Sequence, residues 1–472
     1  MQNQKNTIII GSILVLFFVL ISYILGFNGL YGQDSYDYLR FTKALSSYFI
    51  SGTNPGSFFW PVNYPFFGAI LSFFIPSKIL ALQLLSYLSF IFSGFLLYKI
   101  IEIIFQASRK SIVVYLVLFF LLSPYLLRGS LVIMSDMLAL AFSLAVFLFV
   151  VKYTKTGMRI DFLFAITFSF LGGFTRHHAF VILFVPMLYS LYLVLKRKDY
   201  LLLLYSILAV LLVVFPTIWF KGNDFTNFTH HQWFTDWSPV NWFSNSFNTS
   251  DGQASYRFPN IIYGFFYMVH PGFIFPGLLL ILFINKNEFT RLPARLLLAM
   301  IVLNGLFIAG IPFQNLRFHI IIFPFALILF FPAFLKLTKK VSANKTLKIT
   351  IIVLTIIIQT SLFTYLFQKF NSNNKLEKLI ATTVGRYKGN PVYTFAIDQA
   401  INTYQPEKNI KNIWYNKYEN FEPGSLFLFN EKKFKKQWEG KNPWINWQNV
   451  NKNYKLETLE ILPEGWTLYE IQ

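Results

Sequence analysis

The chain has no cysteine, few carboxylates and few charges of any kind. The absence of cysteine among 472 residues excludes a disulfide framework, a thiolate metal site and a thiol nucleophile, and leaves the redox compartment open. Charged residues make up 13% and apolar ones 55%, whereas soluble domains carry roughly 25% and 45–50%. An ordinary soluble domain is therefore excluded. What the sequence has instead is a series of apolar runs of about 20 residues, each long enough to cross a hydrocarbon core of about 30 Å. It reads as a polytopic α-helical membrane protein. The net charge of +20 then points to a lipid bilayer as partner and not to nucleic acid.

Spans are expected near 7–27, 78–105, 111–127, 132–151, 160–175, 178–195, 200–220, 260–284, 293–311, 318–335 and 347–367, eleven in all. The first is long and lacks a small-residue cleavage pattern, so it reads as a retained span and not a signal peptide. The run 64–75, stopped by Pro76, is too short to cross and is expected along the interface. Lys and Arg collect at 109–110, 152–159, 196–198, 286–295 and 336–348, on every second connection. Because short cytoplasmic loops are basic, this sets a cytoplasmic amino terminus and an outer carboxy terminus in a plasma (inner) membrane.

His and Asp take no part in that assignment, yet they fall on one side of it. His177, His178, His230, His231, His270 and His319 all map to the outer face, as do Asp34, Asp37, Asp136, Asp224, Asp236 and Asp251. Ionisable groups at membrane depth are costly and mark substrate paths, so the chemistry is expected to face outward. The inner halves of the spans are almost purely apolar, and no internal repeat is evident. The loop 221–260 carries Trp233, Trp237 and Trp242, rings suited equally to stacking on sugars and to the membrane interface. Asn227 and Asn248 open glycosylation sequons. Residues 1–367 are expected to form the membrane domain and 368–472 a small outer domain, α/β or mixed, with strand-like runs at 391–397 and 425–429. Its basic stretch 432–436 reads as a solvated face or a phospholipid-headgroup contact.

Four stretches carry a family resemblance. Asp34-Ser35-Tyr36-Asp37-Tyr38, followed by a helical 39–49, resembles the acidic motif and juxtamembrane helix of the first outer loop in the GT-C superfamily of membrane glycosyltransferases. Trp60-Pro61-Val62-Asn63-Tyr64-Pro65 resembles that superfamily's Pro-rich entry to the next interfacial helix. Ser135-Asp136 resembles its second acidic position, and Thr175-Arg176-His177-His178 and Asn315-Leu316-Arg317-Phe318-His319 its outer basic turns. The branch resembled is family 39, which contains protein O-mannosyltransferases and the aminoarabinose transferase of lipid A. The first acidic position departs from the common Asp-Glu pair, since Asp34 is followed by Ser35 and the next carboxylate is Asp37.

The resemblance implies a sugar donor linked to a polyprenyl phosphate and an extracytoplasmic acceptor. Inverting transfer needs a base for the acceptor hydroxyl, and Asp34 is the expected one with Asp37 as rival. Asp136 is expected to orient the acceptor or hold a cation. The departing phosphate needs charge stabilisation, for which Arg317 and Arg176 are expected, with His177, His178 and His319 as secondary donors. Tyr38, Trp60, Tyr64 and Trp233 are the expected acceptor- and sugar-facing rings. No cofactor is implied, and no metal is expected, because adjacent pairs such as His230-His231 lack the i, i+4 spacing of a helical metal site. A surface-polysaccharide polymerase or ligase, a flippase of lipid-linked sugar and a non-catalytic assembly subunit are the competing classes.

Overall fold

Residues 13–222, 232–341 and 344–472 are described by a computed structural model. The chain runs through helices α1 (Ile13–Ile24), α2 (Gly32–Ser51), α3 (Asn63–Leu71), α4 (Lys78–Phe105), α5 (Arg109–Leu116), α6 (Pro124–Leu131), α7 (Asp136–Thr156) and α8 (Arg159–Gly173). It continues through α9 (His178–Lys196), α10 (Tyr200–Lys221), α11 (Gln232–Thr235), α12 (Asn260–Phe265), α13 (Gly277–Leu282), α14 (Leu292–Ala309), α15 (Phe323–Val341) and α16 (Lys345–Arg386). The described residues group into two compact units, one drawn from 13–40, 246–255 and 368–472, the other from 41–222, 232–245, 256–341 and 344–367.

The second unit is helical. Side-chain caps start several of its helices: Ser77, Ser108 and Asp199 accept the backbone N–H of Leu80, Ser111 and Leu202 at the first turns of α4, α5 and α10. The most deeply buried of its long helices is α7, apolar on all sides and packed against α4, α8 and α9. Val146 and Val150 of α7 meet Ala165 of α8 and Ala179 and Leu183 of α9. Between apolar helices in lipid such contacts stabilise through close packing, since lipid tails are as apolar as the side chains. Gly264 of α12 shows the limit of that approach: a Cβ there would lie 2.4 Å from the Gly305 carbonyl oxygen of α14.

Among the described residues, α4, α7, α9, α10, α14 and α16 are each long and apolar enough to span a membrane. A seventh span arises if Arg109–Leu121 and Pro124–Leu131, bent by 67°, are one broken crossing. Three expected spans differ in form, that near 318–335 because a 3-10 turn, Leu316–His319, precedes α15. The expected span 111–127 breaks at Pro124, which cannot donate to the helical ladder and opens the separate helix α6. Residues 260–284 form α12, a 3-10 turn and α13 instead of one helix, because Pro271-Gly272 and Pro276-Gly277 interrupt the run and His270 Nδ1 accepts the Gly272 N–H at 3.0 Å. The short run near 64–75 is helical as α3.

The first unit holds strands β1 (Ser246–Thr249), β2 (Gly252–Ser255), β3 (Val392–Thr394), β4 (Ile410–Asn412), β5 (Leu426–Phe429), β6 (Leu456–Ile461) and β7 (Thr467–Ile471). β1 and β2 pair as a hairpin, and the other five form a mixed sheet in the order β4-β3-β5-β7-β6, parallel from β4 to β5 and antiparallel beyond. Helices α17 (Asp398–Tyr404), α18 (Glu431–Trp438) and α19 (Asn442–Asn453) accompany it. This is the small mixed α/β unit expected of the tail. Its core is aromatic: Phe429 stacks on Trp447 at 4.9 Å, and Phe395 meets Phe434 at 4.4 Å. In α18, Phe434 is buried while Lys432, Lys433, Lys435 and Lys436 are exposed, so the basic stretch is a solvated face.

Candidate active site

Three side chains far apart in sequence meet in the helical unit. Asp136 opens α7, where the helix dipole favours a carboxylate. Arg176 lies in the turn between α8 and α9. Arg317 lies in a 3-10 turn, Leu316–His319, whose start is held by Asn315 Oδ1 accepting the Arg317 N–H at 2.9 Å. Arg317 Nε donates to Asp136 Oδ2 at 2.7 Å, and Arg176 Nη1 lies 2.8 Å from Oδ1. The carboxylate is 3% exposed and the guanidinium side chains 13% and 19%. One buried anion thus faces two cations, an arrangement in which charge-assisted bonds offset a large desolvation cost and leave local positive charge.

A polar ring cluster accompanies these groups. His178 Nε2 is 2.6 Å from Asn304 Oδ1, and its ring is stacked with Phe307. His319 stacks on Tyr267 with centroids 4.8 Å apart. Burial pushes the His319 imidazole down to about 3 and that of His177 down to about 4, with Lys221 adding to the latter. At neutral pH both rings are therefore uncharged and offer hydrogen bonds, not positive charge. Among the described residues, His178 Nδ1, His319 Nδ1, the Asn304 amide nitrogen and the Tyr267 hydroxyl are buried without a hydrogen-bond partner. Such groups each cost about 1–3 kcal/mol and are concentrated where a protein does chemistry. Asn304 was invisible to sequence reading, as one polar residue inside an apolar run.

The first acidic motif belongs to the other unit. Expected in the first outer loop ahead of a helical 39–49, the stretch from Gly32 to Tyr38 itself forms the opening turns of α2, with Ser35, Tyr36 and Tyr38 buried. Gly32 enters the helix at φ +68°, a conformation that favours glycine. Its N–H donates to Glu377 Oε1 at 3.1 Å, and the Tyr36 hydroxyl donates to Oε2 at 3.0 Å. The apolar part of α16 ends near Phe367, so Glu377 lies well beyond the membrane run. Burial pushes its carboxyl up to about 7. Gln33 adds a second tether, donating to Asp398 Oδ1 at 2.5 Å and accepting from the Gln399 N–H at 3.2 Å. Asp37 pairs with Arg40 at 2.8 Å, and burial raises its pKa although Arg40 opposes the rise. Asp34 is half-buried on the first turn. Glu377 and Asp398 were missed by sequence reading; for Glu377 the one signal available was the continuation of α16 past its apolar run.

The expected sugar-facing rings are distributed differently. Tyr64 is fully buried, its hydroxyl donating to the Leu82 carbonyl at 2.9 Å and 2.7 Å from Ser86 Oγ, so it serves packing. Trp60 is half-buried beside Phe59. Trp233 lies in α11 with its side chain outside the described residues, as are Asp224, Asn227, His230 and His231. Trp237 and Trp242 donate their indole N–H groups to the Phe307 and Leu306 carbonyls at the end of α14, at 2.9 and 3.0 Å. Among the described residues, no three His, Asp or Glu side chains cluster as a metal site.

No protein-family model and no curated protein matches the sequence. Solved structures do match. The crystal structure of ArnT from Cupriavidus metallidurans bound to undecaprenyl phosphate superposes with a TM-score of 0.62 at 11% identity, over 96% of this chain and 97% of that one. The apo structure of the same protein gives 0.60 at 11% identity, over 97% and 98%. The fold is ArnT-like. The likeness to ArnT spans both units, and at this identity it shows the fold alone. It does not single out family 39 or its mannosyltransferase branch.

Proposed function

We propose that the protein is a membrane glycosyltransferase that moves a sugar from a polyprenyl-phosphate-linked donor to an extracytoplasmic acceptor with inversion. The observation that carries this reading is the buried Arg176–Asp136–Arg317 cluster in an ArnT-like fold. The lipid phosphate is the natural occupant of such a site, since it brings the anion that two fixed guanidiniums favour. ArnT itself was crystallised with undecaprenyl phosphate, which supports a lipid of that class here.

In the proposed reaction the acceptor hydroxyl attacks the anomeric carbon as its proton passes to the Asp34 carboxylate. The bond from that carbon to the phosphate oxygen breaks, and the electron pair leaves with the polyprenyl phosphate. Arg176 and Arg317 stabilise that charge as it develops. Asp37, committed to Arg40, is the rival base. Incubating the purified full chain with radiolabelled polyprenyl-phosphate sugars tests the proposal. Label leaving the lipid, and retained on it in Asp34→Asn protein that inserts normally, supports it; turnover of nucleotide sugars alone contradicts it.

A further inference from the structure

The opposite basic loops of the helical unit enclose a groove that the transfer reaction does not use. Its volume is about 280 Å³, and its walls come from α5 and the helical turns that follow it, the end of α15 and the start of α16. Lys110 on α5 and Lys348 on α16 line it and are solvent-exposed, and its hydroxyls are those of Ser111, Thr338 and Thr355. Beyond each lysine the lining turns mainly apolar. On α16 the lining residues after Lys348 are Ile351, Ile352 and Thr355, at i+3, i+4 and i+7; on the other wall Lys110 is followed by Val114 and Leu118, at i+4 and i+8. Both walls therefore run from cation to hydrocarbon in the same order as a phospholipid runs from phosphate to acyl chain. No carboxylate lines the groove among the described residues.

We infer that this groove holds one acyl chain of an anionic glycerophospholipid whose phosphate sits between Lys110 and Lys348. Charge complementarity selects the anionic headgroup, because two ammonium groups with no counter-ion in the lining favour phosphate, and each lysine near a membrane surface contributes about fivefold in affinity. The apolar walls select a lipid over a soluble phosphate, which leaves them exposed to water. This site is independent of the glycosyltransferase reading, since it lies among the basic connections and shares no residue with the Asp136 cluster.

Native mass spectrometry of the full-length protein, equilibrated with equimolar phosphatidylglycerol and phosphatidylcholine, tests the inference. The wild type is expected to retain one phosphatidylglycerol selectively, and Lys110→Gln/Lys348→Gln to lose that selectivity by more than tenfold. Ile352→Trp, which fills the groove while keeping both lysines, is expected to lose retention itself. Crosslinking of wild-type protein by a diazirine-bearing phosphatidylglycerol supplies a readout that needs no variant, with adducts expected within 110–119 and 337–355. Equal selectivity in all three proteins, adducts spread over the lipid-facing surface, or full displacement by polyprenyl phosphate or inorganic phosphate at matched concentration overturns it.

Discussion

Arg317 Nε donates to Asp136 Oδ2 at 2.7 Å across 181 residues of sequence, with the carboxylate buried and the guanidinium side chain largely so. Removing the carboxylate leaves two buried guanidiniums without their counter-ion, whereas changing the arginine alone leaves Asp136 paired to Arg176. Asp136→Asn is therefore expected to cost about 3–5 kcal/mol of stability. Arg317→Lys keeps the charge, loses the planar fork, and is expected to stay folded while sugar transfer falls by roughly 10²–10³-fold. Thermal unfolding in detergent together with label-transfer rates separates the two effects.

Glu377 predicts a pH dependence of stability. Its carboxyl goes from the ordinary 4.5 in the unfolded chain to about 7 in the fold, so between those values the folded state binds more protons. Stability from this group is complete below about pH 4.5 and is lost as pH rises through 7, on the order of 3 kcal/mol at most. Melting temperature measured from pH 5 to 8 is expected to fall in the wild type, and to fall less steeply in Glu377→Gln. Parallel slopes in the two proteins contradict the assignment.

The two carboxylates of the first motif are expected to behave differently. Asp34→Asn should abolish transfer with unchanged donor binding, the signature of a lost base. Asp37→Asn, which breaks a partly exposed i, i+3 pair with Arg40, should cost less than about 1 kcal/mol of stability and leave most activity. Single-turnover kinetics on both variants decides between them, and the reverse result moves the base to Asp37.

The cluster of Asp136, Arg176 and Arg317 was legible because each residue is an ionisable group at the end of an apolar run, where burial without function is costly. Asn304 was not, since one amide in a spanning helix gives no periodic signal, and its meaning comes only from His178 on another helix. Glu377 was hidden for a different reason. It is reached by a polar continuation of α16, and its partners Gly32 and Tyr36 lie more than 300 positions away. The small mixed sheet was legible from its aromatic and β-branched runs, but the β1–β2 hairpin that joins it was not. Gln437 Nε2 donates to the Asp251 carbonyl at 3.1 Å, a contact no local pattern announces.

Close helix packing makes a structural prediction independent of chemistry. Gly264→Ala places a methyl group against the Gly305 carbonyl, where neither backbone can yield cheaply, and is expected to cost about 1–3 kcal/mol. A lowered melting temperature that a second substitution in α14 does not deepen additively confirms the shared contact.

Equilibrium binding of polyprenyl phosphate against the matching polyprenol measures most directly what the two arginines do, because the ligands differ only in the anion. The wild type is expected to prefer the phosphate by at least about tenfold, and Arg176→Gln/Arg317→Gln to bind both alike. Equal affinity for alcohol and phosphate in the wild type would contradict the account.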